Sequence, residues 1–591
     1  MILATIDITQ TIDEYIKKTD WRVDENSNAH YCFGALNKYI TSKTSAQYWL
    51  ENVYNQEIKD AHNNGFFHIH DLGGLTLYCC GYSLKDIIQK GICGISNIPS
   101  SAPPRHFMSL LNQIANIITI YQNEIMGAVA FSSFDTLCAP FVKVDNLSYE
   151  EVYQHMQNFI FSINSNSRGG AEPAFSNLTF DLTPSKDLLY EKVIVGNKEL
   201  DFTYKDCQKE MDMINKAFFE IMIKGDRFGN PFPYPIPTYN IHERFDWDNP
   251  NNELLWEMTG KYGTPYFANF INSDMQPEDA RSMCCRLRLD KRELLKRNGG
   301  LFGSGEKTGS IGVVTLNLPR FGYLAKDKDD LFMYIKKYMQ LASDSLEIKR
   351  KFIQKEVLDR GLIPAFKEYV GTLNNHFSTI GLIGMNEMVE NLYGYGIDTI
   401  EGKELCLEVL DFMREKCADF QEKTGNLYNL EATPAESTCY RLAKIDRKCF
   451  PDIKTQGTKF APYYTNSCHL PVDKVENIKH LLEHQEDLQI KFTGGTACHI
   501  YLGGGISGQK AKKIIKFACK NYKLPYISLS PLHSICEEHG YISGNPKECP
   551  YCGKKVETLQ RITGYIRKVN NFNPGKKSEF NDRKQLGGFN W

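Results

Sequence analysis

Two pairs of metal-ligating residues follow one another in the C-terminal part of the sequence. The first pair is Cys536 and His539, and the second is Cys549 and Cys552. Two residues separate the members of each pair, and nine residues separate the two pairs. Such pairs bring four thiolate or imidazole ligands onto two tight turns, as tetrahedral Zn²⁺ requires. Four protein ligands close the site, so the spacing predicts a structural zinc site. His533 and Glu537 lie close enough in sequence to replace His539 as the fourth ligand.

The stretch RITGYIRKV begins shortly after the second pair. It reads as a short strand interrupted by Gly564, and glycine in a strand usually marks a bulge or a close backbone approach. A chemical interpretation is also open. A radical on an α-carbon is stabilised when the flanking amide nitrogen and carbonyl are coplanar with it, and a β-carbon, which glycine lacks, would crowd that plane.

The sequence contains 18 cysteines and has no basic segment followed by an apolar run at its N-terminus. We therefore expect a cytoplasmic protein, in which clustered cysteines indicate metal binding or catalysis, and isolated ones are often small buried hydrophobes. The most apolar helical window, Met108–Met126, is too polar to span a membrane. The net charge of −2 does not favour a nucleic-acid partner, although a zinc ribbon could bind one.

Helical and strand-like patterns alternate along the chain. Apolar residues recur at three- and four-residue steps in Met108–Met126 and Asp329–Ile353, which predicts helices. Short β-like runs are Phe175–Leu182, Gly312–Leu318 and Cys498–Leu502, and an amphipathic helix followed by a strand is predicted after Gly508. The alternation predicts an α/β fold. No glycine-rich stretch matches a phosphate-binding loop or a dinucleotide fingerprint. Composition changes after about Pro531, so we predict a large domain at 1–530 and a small one at 531–591.

Many short segments, in this order, resemble anaerobic (class III) ribonucleotide reductases of the glycyl radical enzyme superfamily. They are HIHDL (His68–Leu72), YCCGYSL (Tyr78–Leu84), SRGGAEPAFSNLTFD (Ser167–Asp181), PYFANF (Pro265–Phe270), MCCR (Met283–Arg286), GVVTLNLPR (Gly312–Arg320), FSTIGLIGMNE (Phe377–Glu387), EATPAES (Glu431–Ser437), TNSCHLPV (Thr465–Val472) and RITGYIRKV (Arg561–Val569). The resemblance covers nearly the whole chain. It implies a ten-stranded α/β barrel, built from two five-stranded halves around a central finger loop.

The resemblance also implies the chemistry. Gly564 would store a radical that generates a thiyl at Cys285, the cysteine directly before an arginine, on the finger loop. The thiyl would remove the ribose 3′ hydrogen, the 2′ hydroxyl would leave as water, and Cys79 would help to reduce the intermediate. Cys284 stands where relatives often have glycine, and Cys80 is a neighbour that could be mistaken for Cys79. The products would be 2′-deoxyribonucleotides, made from ribonucleotides that we expect to be triphosphates.

Several glycine turns and one arginine are candidate contacts for the substrate phosphates, because backbone amides and guanidinium groups suit that task. Ordinary surface turns are the competing interpretation. The candidates are Ser167, Arg168, Gly169, Gly170, Thr433, Pro434, Gly494 and Gly495.

Partners follow from the resemblance as well. It implies a radical-SAM activating enzyme with an iron–sulfur cluster and S-adenosylmethionine, a homodimer, and dNTP or ATP effectors at a specificity site. The family's N-terminal ATP-cone is expected to be missing. The reductant would be formate or a thioredoxin-like dithiol donor. Four further cysteines favour the dithiol slightly, although they could equally be core residues: Cys80, Cys284, Cys439 and Cys498.

Two other functions remain to be weighed. A pyruvate formate-lyase type of glycyl radical enzyme is suggested by the adjacent cysteines Cys284 and Cys285, but the zinc ligand pairs before Gly564 and the many matching segments favour nucleotide reduction. A non-catalytic zinc-ribbon scaffold is disfavoured by the 18 cysteines and the large α/β body.

Overall fold

The computed structural model describes residues 6–25, 31–166, 172–272, 280–282, 288–290 and 307–587. Its strands are β1 (Phe67–Ile69), β2 (Cys79–Tyr82), β3 (Val129–Phe131), β4 (Ser176–Phe180), β5 (Lys192–Val195), β6 (Lys198–Thr203), β7 (Ile236–Ile241), β8 (Tyr266–Asn269), β9 (Ala280–Ser282), β10 (Arg288–Asp290), β11 (Gly309–Asn317), β12 (His376–Ile383), β13 (Leu427–Glu431), β14 (Gln456–Gly457), β15 (Pro462–Tyr463), β16 (Cys498–Leu502), β17 (Tyr526–Pro531), β18 (His533–Cys536), β19 (Gly540–Ser543), β20 (Glu557–Arg561) and β21 (Ile566–Lys568).

The α-helices lie between these strands and at both ends of the described chain. They span Ile8–Ile16, Arg22–Glu25, Phe33–Tyr48, Gln56–Asn64, Leu84–Lys90, Phe107–Tyr121, Phe134–Val144, Tyr149–Ile163, Lys186–Leu189, Gln208–Lys224, Asn252–Lys261, Leu318–Leu324, Lys328–Phe352, Pro364–Tyr369, Met385–Tyr393, Ile400–Thr424, Glu436–Cys449, Ile478–Gln489, Gly508–Asn521 and Pro574–Asp582. None of the described helices is long and apolar enough to cross a membrane.

One large mixed sheet organises the fold. Its strands are ordered β13-β12-β11-β2-β3-β4-β7-β8-β17-β16, and β1 pairs additionally with β11. The run β2-β3-β4-β7-β8 is parallel throughout. The strands β11-β12-β13 and β16-β17 are also parallel among themselves. Antiparallel pairing occurs where these groups meet, between β11 and β2 and between β17 and β8.

The segment before β16 connects the two end strands of this order. The Gly494 amide donates to the Leu430 carbonyl on β13 at 2.7 Å, and the Ala432 amide donates to the Gly495 carbonyl at 2.7 Å. A Cβ at Gly494 would lie 3.0 Å from the Leu430 carbonyl oxygen, so the close approach of the two backbones favours glycine there.

The predicted elements agree closely with the structure. The helix expected at Asp329–Ile353 spans Lys328–Phe352, and the strand expected at Cys498–Leu502 has those bounds. The helix expected at Met108–Met126 ends at Tyr121, because the chain must turn to enter β3 and the Glu124 and Ile125 amides bond to the Tyr121 carbonyl. The α/β prediction is confirmed.

The C-terminal part forms a separate four-stranded antiparallel sheet in the order β19-β18-β20-β21. The interpretation of RITGYIRKV as one strand is wrong. Strand β20 ends at Arg561 and β21 begins at Ile566, so Gly564 lies in the hairpin turn between them. The Ile562 amide donates to the Tyr565 carbonyl at 2.9 Å and closes that turn.

Candidate active site and metal centre

Both peptide groups of Gly564 are held by side chains from other elements. Its amide donates to Glu436 Oε1 at 3.0 Å. Its carbonyl accepts from the Tyr266 hydroxyl at 2.6 Å and from Arg561 Nη1 at 3.4 Å. The neighbouring Tyr565 packs against a cluster of apolar side chains that includes Tyr266. The turn is therefore docked onto the large sheet rather than exposed as a free loop.

Two buried arginines anchor the strand that leads into this turn. The Arg561 guanidinium lies 4.4 Å from the centre of the Tyr266 ring, donates to Ser530 Oγ at 3.1 Å and also bonds to the Gly263 carbonyl. Arg583 donates to the carbonyls of Arg561 and Ile562, both at 2.9 Å. Because buried backbone carbonyls are costly to leave without partners, these bonds fix the path of the chain into Gly564.

Adjacent cysteines on β2 face opposite sides of the sheet, as strand geometry requires. Cys80 belongs to the main hydrophobic core, and burial raises the pKa of its thiol well above the ordinary range. Cys79 belongs instead to a small cluster with Ala128 and Ala130. Phe175 packs against both that cluster and the one that contains Tyr266, so Cys79 and the Gly564 turn lie on the same face.

A glycine makes room for the Cys79 sulfur. A Cβ at Gly127 would lie 2.4 Å from Cys79 Sγ, closer than non-bonded carbon and sulfur atoms approach, so only glycine fits without a shift. Cys79 therefore lies on the side of the sheet that the Gly564 turn also contacts, and its role as the active-site thiol stays a prediction.

Buried ionisable side chains surround the start of β2. His70 Nε2 lies 2.8 Å from Thr315 Oγ1, and burial lowers the pKa of His70 to about 3. Burial also lowers the pKa of Lys349 to about 8, opposed by the charges of Asp71 and Cys79. Near neutral pH the histidine is thus uncharged, and a buried ammonium group lies within electrostatic range of Cys79.

Several predicted site residues lie outside the described residues. They are Cys285 with its neighbour Cys284, and Ser167, Arg168, Gly169 and Gly170. Thr433 and Pro434 follow β13 and precede Glu436 by a few residues, so this segment lies near the Gly564 turn. The Gly494 amide bonds to Leu430 on β13, and the Gly495 carbonyl accepts from Ala432, which directly follows β13, so both glycines hold this segment beside the strand. Phosphate contact by these two glycines stays a prediction.

Sequence reasoning missed three residues that contact the turn or its strand. Tyr266 and Glu436 lie within PYFANF and EATPAES, but those segments gave no reason to single them out. Arg583 lies in the polar tail. No spacing rule connects any of them to Gly564, since the hydrogen-bonding partners are distant in the sequence.

The four predicted metal ligands converge. One ligand atom from each of Cys536, His539, Cys549 and Cys552 lies within 4.8 Å of all the others. Cys536 Sγ lies 3.7 Å from both His539 Nδ1 and Cys552 Sγ, and Cys549 Sγ lies 3.6 Å from His539 Nδ1. Ligands at zinc bonding distances in a tetrahedron are about 3.5–3.8 Å apart, so the residues present fit a closed metal site.

His533 is not one of the converging ligands. It is buried, and its ring packs edge-on against Tyr262 at 5.4 Å and stacks on Tyr541 at 5.7 Å. His539 thus provides the fourth ligand atom of the cluster, and neither His533 nor Glu537 is part of the group.

Comparison with known proteins identifies the family. The model of the family described as anaerobic ribonucleoside-triphosphate reductase matches residues 25–586. The chain belongs to this family. Anaerobic ribonucleoside-triphosphate reductase from Haemophilus influenzae is 22% identical, covering 98% of this chain and 85% of the relative. The enzyme of that name from Enterobacteria phage T4 is also 22% identical, and the match covers 98% of this chain and 99% of the phage enzyme.

Solved structures agree with this membership at the level of the fold. A structure of an anaerobic ribonucleotide reductase has a TM-score of 0.77 at 22% identity, covering 99% of this chain and 93% of that one. The Thermotoga maritima enzyme in complex with dATP and CTP has a TM-score of 0.75 at 20% identity, covering 96% and 93%. Hydroxyproline dehydratase from Clostridioides difficile shares the fold less closely, with a TM-score of 0.59 at 11% identity and coverage of 96% and 88%. The fold is thus shared by a ribonucleotide reductase and a dehydratase, and the family match, not the fold, assigns this chain to the reductases.

Proposed function

We propose that this member of the anaerobic ribonucleoside-triphosphate reductase family converts ribonucleotides to 2′-deoxyribonucleotides by a radical chain that starts at Gly564. The observation that carries the proposal is the docked Gly564 turn in a chain that matches the family over residues 25–586. A glycine turn held against the face that also bears Cys79 suits a stored oxidant that acts on a nearby thiol.

The proposed sequence of events uses three residues. The Gly564 radical takes a hydrogen atom from the Cys285 thiol, and the resulting thiyl takes the ribose 3′ hydrogen. The 2′ hydroxyl leaves as water after gaining a proton, and Cys79 takes part in supplying the electron and hydrogen that reduce C2′. Cys285 then returns the 3′ hydrogen and regains one from Gly564. The net reaction consumes two electrons and two protons from an external reductant.

We propose formate or a thioredoxin-like dithiol as that reductant. The extra cysteines give less support to dithiol exchange than their number suggested. Cys80, Cys439 and Cys498 are all buried, and burial raises the pKa of each thiol, which disfavours the thiolate that exchange requires.

We propose that the large sheet closes into a ten-stranded barrel of two antiparallel half-barrels around the finger loop. Five parallel strands form one run, the remaining five oppose it at both junctions, and the Gly494–Gly495 segment bridges β13 and β16. A closed barrel would exclude water and oxygen from the radicals.

We propose residues 1–530 as the catalytic barrel and 531–591 as a zinc-binding and radical-bearing part. Strand β17 ends at Pro531, and the four-stranded sheet begins at His533. Zinc bound by Cys536, His539, Cys549 and Cys552 would tie together the loops of this sheet. Because four protein ligands leave no open position, its role would be structural.

The substrate phosphates are proposed to contact the segments at Ser167–Gly170, Thr433–Pro434 and Gly494–Gly495. A radical-SAM activase would generate the Gly564 radical, and the working unit would be a homodimer. The Thermotoga maritima relative was solved with dATP and CTP, which supports dNTP effectors here too.

The proposal is tested by an anaerobic assay with a radical-SAM activase, S-adenosylmethionine, each reductant in turn and a ribonucleoside triphosphate. We expect deoxynucleotide product with one of the two reductants. Cys285→Ala should carry the glycyl signal and make no product. A wild-type protein that holds the radical but makes no deoxynucleotide with any ribonucleotide would refute the proposed reaction.

A further inference from the structure

The hydrogen bonds at Gly564 have opposite polarity on its two sides. On the amino side, a carboxylate oxygen of Glu436 accepts from the Gly564 amide at 3.0 Å. On the carboxyl side, the Tyr266 hydroxyl and Arg561 Nη1 donate to the Gly564 carbonyl at 2.6 and 3.4 Å. These three side chains come from three elements: the start of the helix Glu436–Cys449, the start of β8 and the end of β20.

This polarity matches the electronic needs of an α-carbon radical. When the α-carbon loses a hydrogen atom, the unpaired electron is shared with the nitrogen lone pair on one side and the carbonyl π system on the other. An anionic acceptor on the N–H makes the nitrogen a better electron donor. Donors on the carbonyl oxygen make that group a better acceptor. Both kinds of hydrogen bond are stronger when one partner is charged.

We propose that Glu436 and Tyr266 are positioning residues that stabilise the radical at Gly564 by polarising its two peptide groups in opposite senses. The inference rests on the proposed function, because it requires Gly564 to carry the radical. It goes further in naming the side chains that make this glycine a better radical site than the other described glycines.

The two residues are held in place before any radical forms. Tyr266 is 2% exposed, and the Arg561 guanidinium covers its ring at 4.4 Å. Glu436 is fixed through its own backbone, whose carbonyl accepts from Asn573 Nδ2 at 3.1 Å. Preorganised groups stabilise a developing electronic state without reorganising when it forms.

A purely mechanical role for these contacts makes a different prediction. Hydrogen bonds that only held the turn in place would alter folding or docking, but they would not alter the spin distribution of a radical that still formed. The α-hydrogen hyperfine splitting in the EPR spectrum reports the spin density on the α-carbon and therefore separates the two roles.

The test uses the full chain activated anaerobically with a radical-SAM enzyme and S-adenosylmethionine. Tyr266→Phe and Glu436→Gln each weaken one side of the arrangement. We expect a doublet with a larger α-hydrogen splitting in each variant, because less spin is delocalised. Reversible hydrogen-atom exchange between Gly564 and a thiol should shift about tenfold against the glycyl radical, the size expected for the loss of one hydrogen bond to a charged or strongly polar partner.

Two matched controls make the same kinds of substitution, Tyr to Phe and Glu to Gln, at positions that do not contact Gly564. Tyr239→Phe deletes the hydroxyl of a buried tyrosine on the neighbouring strand β7, and Glu404→Gln neutralises an exposed carboxylate on the helix Ile400–Thr424. Both should keep the wild-type splitting. Glu436→Asp, which keeps the charge but shortens the side chain, provides a second variant if Glu436→Gln does not fold.

The outcomes separate this inference from the function on which it rests. Unchanged splitting in folded Tyr266→Phe and Glu436→Gln, whatever their radical content, would overturn the inference while leaving Gly564 as the radical site. No doublet in the activated wild-type protein would overturn the radical site itself.

Discussion

Backbone geometry does not explain why residue 564 is glycine. Gly564 is not among the described glycines with a positive φ, so the left-handed conformation that favours glycine elsewhere does not account for it. The hydrogen bonds to Glu436 and Tyr266 instead hold both flanking peptide groups. At the residue scale, we propose that the chemistry of an α-carbon without a side chain accounts for glycine at this position.

Substitution of Cys79 and substitution of Cys80, the adjacent cysteines on β2, should have different consequences. Cys79→Ser should keep the fold and the glycyl radical but abolish deoxynucleotide formation, because the thiol faces the Gly564 side of the sheet. Cys80→Ser should retain activity and lose some stability, because its side chain lies in the main hydrophobic core. Deoxynucleotide formation and melting temperature, measured on both variants, distinguish a role in the reaction from a role in packing. An active Cys79→Ser would exclude Cys79 from the reaction.

Lys349 provides a pH-dependent test. It is 1% exposed, and burial lowers its pKa from 10.5 to about 8. Between these values the unfolded chain keeps a proton that the folded chain has released, so this residue makes the folded state more stable as pH rises from 8 to 10.5. The melting temperature of the wild type should therefore rise relative to that of Lys349→Met across this window, with a constant difference below it.

The exposed Lys351→Met on the same helix is the matched control, and its melting temperature should follow the wild type at every pH. Parallel curves for wild type and Lys349→Met from pH 8 to 10.5 would show that burial does not perturb the lysine.

At the level of elements, the sequence predicted the metal ligands better than it predicted the hairpin. Ligand spacing is a local property, so the convergence of Cys536, His539, Cys549 and Cys552 could be anticipated. The turn at Gly564 could not be anticipated in this way, because the sequence TGY carries no strong turn signal. The backbone of Gly564 is held by residues that are far away in the sequence. The side of the sheet that Cys79 faces likewise required the strand register.

The candidate metal site and the Gly564 turn share one small sheet. Strand β18 carries Cys536 and pairs with β20, which leads directly to Gly564. Cys549→Ser should lose the bound zinc, expected at about one per chain for four ligands, and should also lower the glycyl radical content. Metal analysis and EPR on the same samples check both effects.

Cys449→Ser, which removes an exposed cysteine elsewhere, should keep both the metal and the radical. Full zinc content in Cys549→Ser would contradict the proposed ligand set.

At the scale of the whole molecule, the α/β class was predictable from alternating elements, but the strand order was not. Long-range pairings such as β2 with β11 and β8 with β17 leave no periodic signal in the sequence. The docking of the C-terminal hairpin onto the large sheet depends on the same long-range packing.

Nucleotide binding should stabilise the whole molecule. A ligand that binds only the folded state adds about 2.7 kcal/mol at a hundred times its dissociation constant, and less at lower concentration. We expect dATP together with CTP to raise the melting temperature in a concentration-dependent way. Inorganic tripolyphosphate is the control for charge alone. Equal shifts from tripolyphosphate would argue against a specific nucleotide site.

The central claim is that Gly564 carries the radical, and isotope-edited EPR tests it most directly. The chain is produced with natural glycine or with glycine deuterated at the α-carbon, activated anaerobically, and compared with Gly564→Ala. We predict a doublet from the natural protein that collapses on deuteration and is absent from folded, zinc-loaded Gly564→Ala. A doublet that persists in Gly564→Ala, or one unaffected by the deuterated glycine, would contradict the assignment.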